Sequence, residues 1–230
     1  MENAYKLKYN VDIVFVIDST GSMGHLVETV KNNALEFHVK LAEVMRKKQK
    51  TLNKVRIRLI SFKDYVADKY PMLGTKFFAL PDDEEQMKAA LQSIRAEGGG
   101  DDPEDALEAL AHAIKSDWAS GTDKGRQVIV LYTDTGAHAL GFGKSMPSYS
   151  KGMPADMAEL TAWWNDPTKI DQSQKRLILF APNEAPWDYI SSCWGEVVHA
   201  QTKAGAGLSE YDMQQIVDVI SNSIASKVNA

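Results

Sequence analysis

The sequence predicts an α/β fold: a doubly wound, mostly parallel six-stranded sheet with one antiparallel edge strand and helices on both faces. Three observations carry this. Residues 11–17 and 127–132 are short, β-branched, nearly all-apolar runs, and each passes directly into a polar loop, as strands buried on both faces do. Segments with apolar steps of three and four residues alternate with such runs, the pattern of helices packed across a parallel sheet. After the alternating run 55–62, a Pro71/Gly74 turn leads to residues 75–80 by a connection short enough for an antiparallel hairpin.

The elements follow in order. The strand at 11–17 ends at Asp18-Ser19-Thr20-Gly21-Ser22. From about His25 to Lys48, Leu26, Val30, Ala34, Phe37, Leu41 and Val44 make one apolar helical face. The strand 55–62 has a wetter face, and 75–80 pairs with it. Asp82-Asp83-Glu84-Glu85 places acid in the first turn of a helix running to about Arg95, which suits the helix dipole, and Gly98-Gly99-Gly100 is expected to stop it. Residues 104–115 form a helix with Leu107, Leu110, Ala111 and Ile114 on one face. The strand 127–132 ends at Thr133-Asp134-Thr135-Gly136, and an irregular stretch of about 18 residues follows. A helix at 154–164, a strand at 176–180, a short helix at 187–193, a strand at 196–200 and a helix from about Ser209 to Lys227 complete the chain. Met213, Ile216, Val217, Ile220 and Ile224 form the inward face of that last helix.

Composition narrows the class. The chain has 230 residues, 44% apolar and 25% charged, with 15 Gly and 8 Pro, values of an ordinary globular protein. With no repeat or Pro/Ser-rich linker, residues 1–230 are expected to be one domain. Cys193 is the only cysteine, so an intrachain disulfide and a thiolate zinc cluster are excluded. A net charge of −5 offers no basic excess, and neither nucleic acid nor a membrane is an expected partner. The first ten residues lack an apolar signal core, which leads us to expect a cytoplasmic protein.

In an open parallel sheet, ligands collect beyond the carboxyl ends of the strands, where strand order reverses. Three acidic loops are expected there: Asp18 to Gly24, Gly98 to Glu104, and Thr133-Asp134. Carboxylates and hydroxyls without His or Cys are the ligand set of a hard cation such as Mg²⁺, with Mn²⁺ or Ca²⁺ as alternatives. At this point the sequence resembles the von Willebrand factor A-type domain and its metal-ion-dependent adhesion site. That family's pattern is Asp-x-Ser-x-Ser after the first strand, a Thr in a second loop and an Asp after a later strand. Asp18, Thr20 and Ser22 match the first element, with Thr20 keeping the hydroxyl, and Asp134 matches the last. The second loop departs, with Asp101 at the expected Thr position and a Gly-Gly-Gly-Asp-x-Pro-Glu form similar to intracellular and bacterial members.

The resemblance implies a metal site of Asp18, Thr20, Ser22, Asp101 and Asp134 in a module that binds proteins rather than an enzyme. A partner's Asp or Glu would complete the coordination. A dication held largely by neutral oxygens keeps positive charge, and a carboxylate entering a poorly screened cleft gains strong attraction. Asp102, Glu104 and Asp105 read instead as acids at a helix start. His25 and His138 read as loop or cap residues near the site. With Phe142 and Lys144 of the long irregular segment, taken as a specificity loop, they are expected partner contacts. Trp163-Trp164 reads as core plus rim, and Gly141-Phe142-Gly143 lacks the third glycine of a dinucleotide fingerprint. The rival class is a metal-dependent hydrolase or phosphatase with Asp18 as nucleophile. Phosphatases of the haloacid dehalogenase type need a second Asp two residues on, where this chain has Thr20.

Overall fold

β1 (Lys8–Asp18) lies at the centre of the sheet, and both its neighbours run parallel to it. The structure, a computed structural model, describes residues 8–100, 102–119 and 124–226. β1 leads through a 3-10 turn, Gly21–Met23, into α1 (Gly24–Lys47) and then β2 (Thr51–Phe62). β3 (Met72–Gly74) and β4 (Phe78–Leu80) follow, then α2 (Glu84–Ser93) and α3 (Ala106–Ile114). β5 (Gly125–Tyr132) crosses to the other side of β1. It is followed by α4 (Met157–Trp164), β6 (Lys175–Pro182), α5 (Trp187–Cys193), β7 (Val197–Thr202) and α6 (Met213–Ala225).

The sheet order is β3-β2-β1-β5-β6-β7, with β4 also on β2. The count of six strands is therefore corrected to seven. β3 pairs with Ile60–Phe62 and β4 with Val55–Ile57, both antiparallel, so two short strands share the single expected edge. Between them Thr75 turns inward, its backbone N–H donating to Leu59 O at 2.9 Å and its Oγ1 accepting from Leu59 N at 3.0 Å. β1 and β2 start earlier than their apolar runs, because Lys8 pairs with Thr51 and Tyr9 with Leu52 before a bulge. Backbone pairing extends strands through residues whose side chains carry no apolar signal.

Strand alternation sends Val11, Ile13, Phe15 and Ile17 to one core and Val14 and Val16 to the other. The first core lies under α1, α2 and α6, with Leu26, Leu41, Met45, Met87, Ile216 and Ile220 buried there. The second lies under α3, α4 and α5, with Leu110, Ile114, Leu160, Trp164 and Trp187 buried. Trp164 is core and Trp163 packs partly buried at its margin, as expected. The side chains of Val30, Ala34 and Met213, and Lys227 entirely, lie outside the described residues. α6 starts at Met213 rather than near Ser209, because Asp212 and Gln215 form a reciprocal capping box there, each bond 2.8 Å.

Chain order reverses between β1 and β5, so the crevice of this sheet opens beyond Asp18 and Tyr132. A row of rings, Phe15, Tyr132 and Phe180, crosses β1, β5 and β6 just below that edge and fixes the strand ends that carry it. Among the described residues no helix is long and apolar enough to cross a membrane.

Candidate functional site

Asp18 is the last residue of β1 and is 0% exposed. Its Oδ1 accepts from Thr20 N at 3.0 Å and Thr20 Oγ1 at 2.6 Å, and its Oδ2 from Thr133 Oγ1 at 2.8 Å. Burial pushes its pKa up to about 6, the three hydrogen bonds oppose the rise, and the charge of Asp134 adds to it. Ser22, in the 3-10 turn, donates to Asp134 Oδ1 at 3.0 Å. Asp134 Oδ2 accepts from Gly207 N at 2.9 Å, and its backbone oxygen accepts from Gly205 N at 2.7 Å. The structure thus brings Asp18, Thr20, Ser22 and Asp134 together across the β1/β5 switch point.

The turn between β7 and α6 closes over this group. Gly207 has φ +55°, and a Cβ there would stand 2.5 Å from Ser22 O. Gly207→Ala is therefore expected to cost about 1–3 kcal/mol, from a left-handed backbone plus a collision with main chain. A denaturant midpoint unchanged from the parent would show that the turn relaxes freely.

The second loop is where the structure departs most from the sequence reading. Asp101 lies outside the described residues. Asp102 is exposed, whereas Glu104 and Asp105 are buried; Asp105 stands at the start of α3 as expected, in its N-cap position, but its side chain makes no capping hydrogen bond. Glu104 is 3% exposed, bridges Ala137 through its backbone, and leaves Oε2 buried with no hydrogen-bond partner. Burial first, then the charges of Asp18, Asp64, Asp105 and Asp68, push its pKa up to about 9. Asp105 accepts from Tyr65 N at 2.5 Å and faces His138 Nδ1 at 3.2 Å.

The three glycines do not stop α2, which has already ended at Ser93. They make room for acids: a Cβ on Gly98 would fall 2.0 Å from Asp68 Oδ1, and one on Gly99 2.9 Å from Glu104 Oε1 and 3.2 Å from Thr20 Cβ. Sequence reasoning missed Glu104 and Thr133 as members of this group. The run of glycines was the signal for the first, since three residues without Cβ atoms permit close approach of side chains as well as a chain break.

The segment after Asp134 is tied down. Glu108 Oε1 accepts from Gly141 N and from Tyr149 OH, each at 2.9 Å. Ser150 Oγ lies 2.9 Å from His112 Nε2 and 3.3 Å from Tyr65 OH. His138 is 6% exposed, with its ring stacked under Phe142 at 3.9 Å, and offers little to a partner directly. Phe142 is 50% exposed, and Lys144 and His25 are exposed as well.

His112 supplies an acid-sensitive tether for this segment. Burial, then Lys115 and Arg58, push its pKa down from 6.5 to about 4. Between pH 6.5 and 4 the unfolded chain binds the proton and the folded chain does not, so stability falls as pH drops through that window. The loss attributable to His112 is expected to be about 1–2 kcal/mol after solvent screening. Denaturation of the parent and of H112Q across this range checks it: parallel curves would remove His112 as the cause.

Residues 12–140 match the family described as von Willebrand factor A domain. The chain belongs to the von Willebrand factor A domain family. Among solved structures it is similar to the pilus adhesin SpaC from Lactobacillus rhamnosus GG, with TM-score 0.54 and 14% identity over 94% of this chain and 30% of that one. It is also similar to a von Willebrand factor type A protein from Catenulispora acidiphila, with TM-score 0.52 and 14% identity over 94% and 43% of the two chains. Proximal thread matrix protein 1 from the mussel byssus gives TM-score 0.51 and 11% identity over 96% and 49%. The chain thus spans between about a third and a half of the length of these solved chains. At such identities they share the fold. No curated protein matches the chain.

Proposed function

We propose that this domain is a protein-binding module in which a divalent cation, Mg²⁺ or alternatively Mn²⁺ or Ca²⁺, sits beyond the ends of β1 and β5. Asp18, Thr20, Ser22 and Asp134 would hold it, and Glu104 of the second loop would add its charge beside them. The observation that carries this reading is the buried, unpartnered Oε2 of Glu104 next to a group made only of carboxylates and hydroxyls. Buried carboxyl groups with no cationic partner are costly, and oxygen-only donor sets suit hard cations. Among the described residues no three His, Cys, Asp or Glu side chains group closely enough to hold a metal, so Glu104 would act on the ion through its charge or a bridging water, with hydroxyls and water completing the coordination.

A bound dication would supply a positive centre for a partner's Asp or Glu. The chain's own part is to orient that encounter. Thr20 and Thr133 hold the Asp18 carboxylate by its two oxygens, while Ser22 and Gly207 hold Asp134. His25, Phe142 and Lys144 are exposed and would supply partner contacts, with His138, held by Asp105, stacked against Phe142. An enzymatic role for Asp18 is disfavoured: it is fully buried, and Thr20, where a proton donor would be needed, bonds back to Asp18 itself.

Calorimetric titration of the EDTA-stripped protein with Mg²⁺, Mn²⁺ and Ca²⁺, followed by capture of an Asp- or Glu-containing peptide library with and without EDTA, tests the proposal. One cation per chain and EDTA-sensitive capture are expected. Absence of cation binding would sink the metal reading, and capture indifferent to EDTA would sink its role in recognition.

A further inference from the structure

A separate cleft of about 280 Å³ opens between the antiparallel edge, α3 and the segment after β5. Its polar lining is Arg58, Lys69, Tyr70, His112, Ser148 and Ser150, with no carboxylate among them. Arg58 rises from β2 and is half-buried. Its Nε donates to Thr75 O at 2.9 Å, and its Nη1 to Ser116 Oγ at 2.7 Å and His112 O at 3.4 Å. Nη2 has no hydrogen bond among the described residues and lies 3.4 Å from where a Cβ on Gly74 would stand. Among the described residues no Asp or Glu makes an ion pair with Arg58.

A half-buried guanidinium without a counter-ion is unusual in a chain of net charge −5. The surroundings add to the imbalance rather than relieve it. Burial lowers His112 and Lys115 most, and positive neighbours add to it: Lys115 and Arg58 for His112, Arg58 and Lys169 for Lys115. Lys69 stands at the mouth over the Tyr70 ring at 5.3 Å. The donors are of the kinds that recognise oxyanions: a free guanidinium N–H pair, hydroxyls and an ammonium.

We propose that this cleft binds a small oxyanion, a phosphate or a carboxylate group, on Arg58 Nη2 with Ser148, Ser150 and Lys69 around it. The volume fits one such group on a small molecule and is below that of drug-sized pockets. The cleft shares no residue with the proposed cation site, and its test runs in EDTA, so the two proposals stand or fall separately.

The full chain in EDTA is titrated with inorganic phosphate and separately with acetate, each against chloride at matched ionic strength. The His112 ring resonances and the thermal midpoint are followed. Saturable binding with Kd of order 1 mM is expected for at least one oxyanion, and the tighter of the two identifies the group the cleft prefers. R58Q should weaken it about tenfold or more, and K69A two- to fivefold, roughly. Should R58Q lose its fold along with the Thr75 and Ser116 contacts, K69A, which sits on the surface, carries the test. A response no larger than chloride gives, or binding undiminished in folded R58Q, or in K69A where R58Q does not fold, overturns the proposal.

Discussion

Asp18→Asn is expected to lower cation affinity about 100-fold or more while leaving the metal-free protein at least as stable as its parent. The two halves of this outcome come from the same burial. Asn keeps the shape and can still accept from Thr20 N and Thr20 Oγ1, so the end of β1 stays closed. What it removes is a charge held with no exposure, whose pKa burial has raised to about 6. A raised folded-state pKa means that stability present below the unfolded value of 3.8 is lost as pH rises through 6. At pH 7 the ionised Asp18 therefore works against folding in EDTA, and its neutral isostere relieves that cost, by about 1–3 kcal/mol. Stability measured in EDTA and calorimetry with Mg²⁺ check the two halves independently. A destabilised N variant would mean that Asp18 serves the fold, and undiminished cation binding would move the site elsewhere.

The same tension explains which parts of the molecule were legible in the sequence. The apolar runs at 11–17 and 127–132 report burial on both faces, and burial on both faces defines a central parallel strand. Asp18 and Asp134 were legible because a carboxylate one or two residues after such a run has no other place to go than the carboxyl edge of the sheet. Glu104 was not, because an acid four residues after a glycine run and two before a helix is what a dipole-stabilised helix start also looks like. Only the tertiary packing of Gly99 against Thr20 and Glu104 separates the two. The split edge strand escaped for a similar reason. β3 and β4 are three residues each, too short for any periodicity, and are held by ladder bonds to β2 rather than by their own pattern. The anchoring of the segment after Asp134 depends on Glu108 and His112 of α3, residues about 30 positions earlier whose roles no local pattern announces.

Glu104→Gln is expected to weaken cation binding by roughly tenfold while strengthening capture of an acidic peptide at saturating Mg²⁺. With Asp18 and Asp134 alone, two negative charges balance a dication. Glu104, once its proton had been displaced, would add a third negative charge beside these two, so the occupied site would carry about −1 before any partner arrives. Coulomb attraction in a buried cleft then holds the cation harder, and the same charge repels an incoming carboxylate. Glu104 would act as a brake on recognition as well as a clamp on the metal. Gln keeps the side-chain volume against Gly99 and Thr20, so the loop geometry survives the change. Calorimetry on both proteins, first with Mg²⁺ and then with the peptide, reads the two effects in opposite directions. A fall in both affinities would make Glu104 a support for the loop, and no change in either would place it outside the reach of the ion. Opposite shifts require a carboxylate that acts through its charge on both cation and partner.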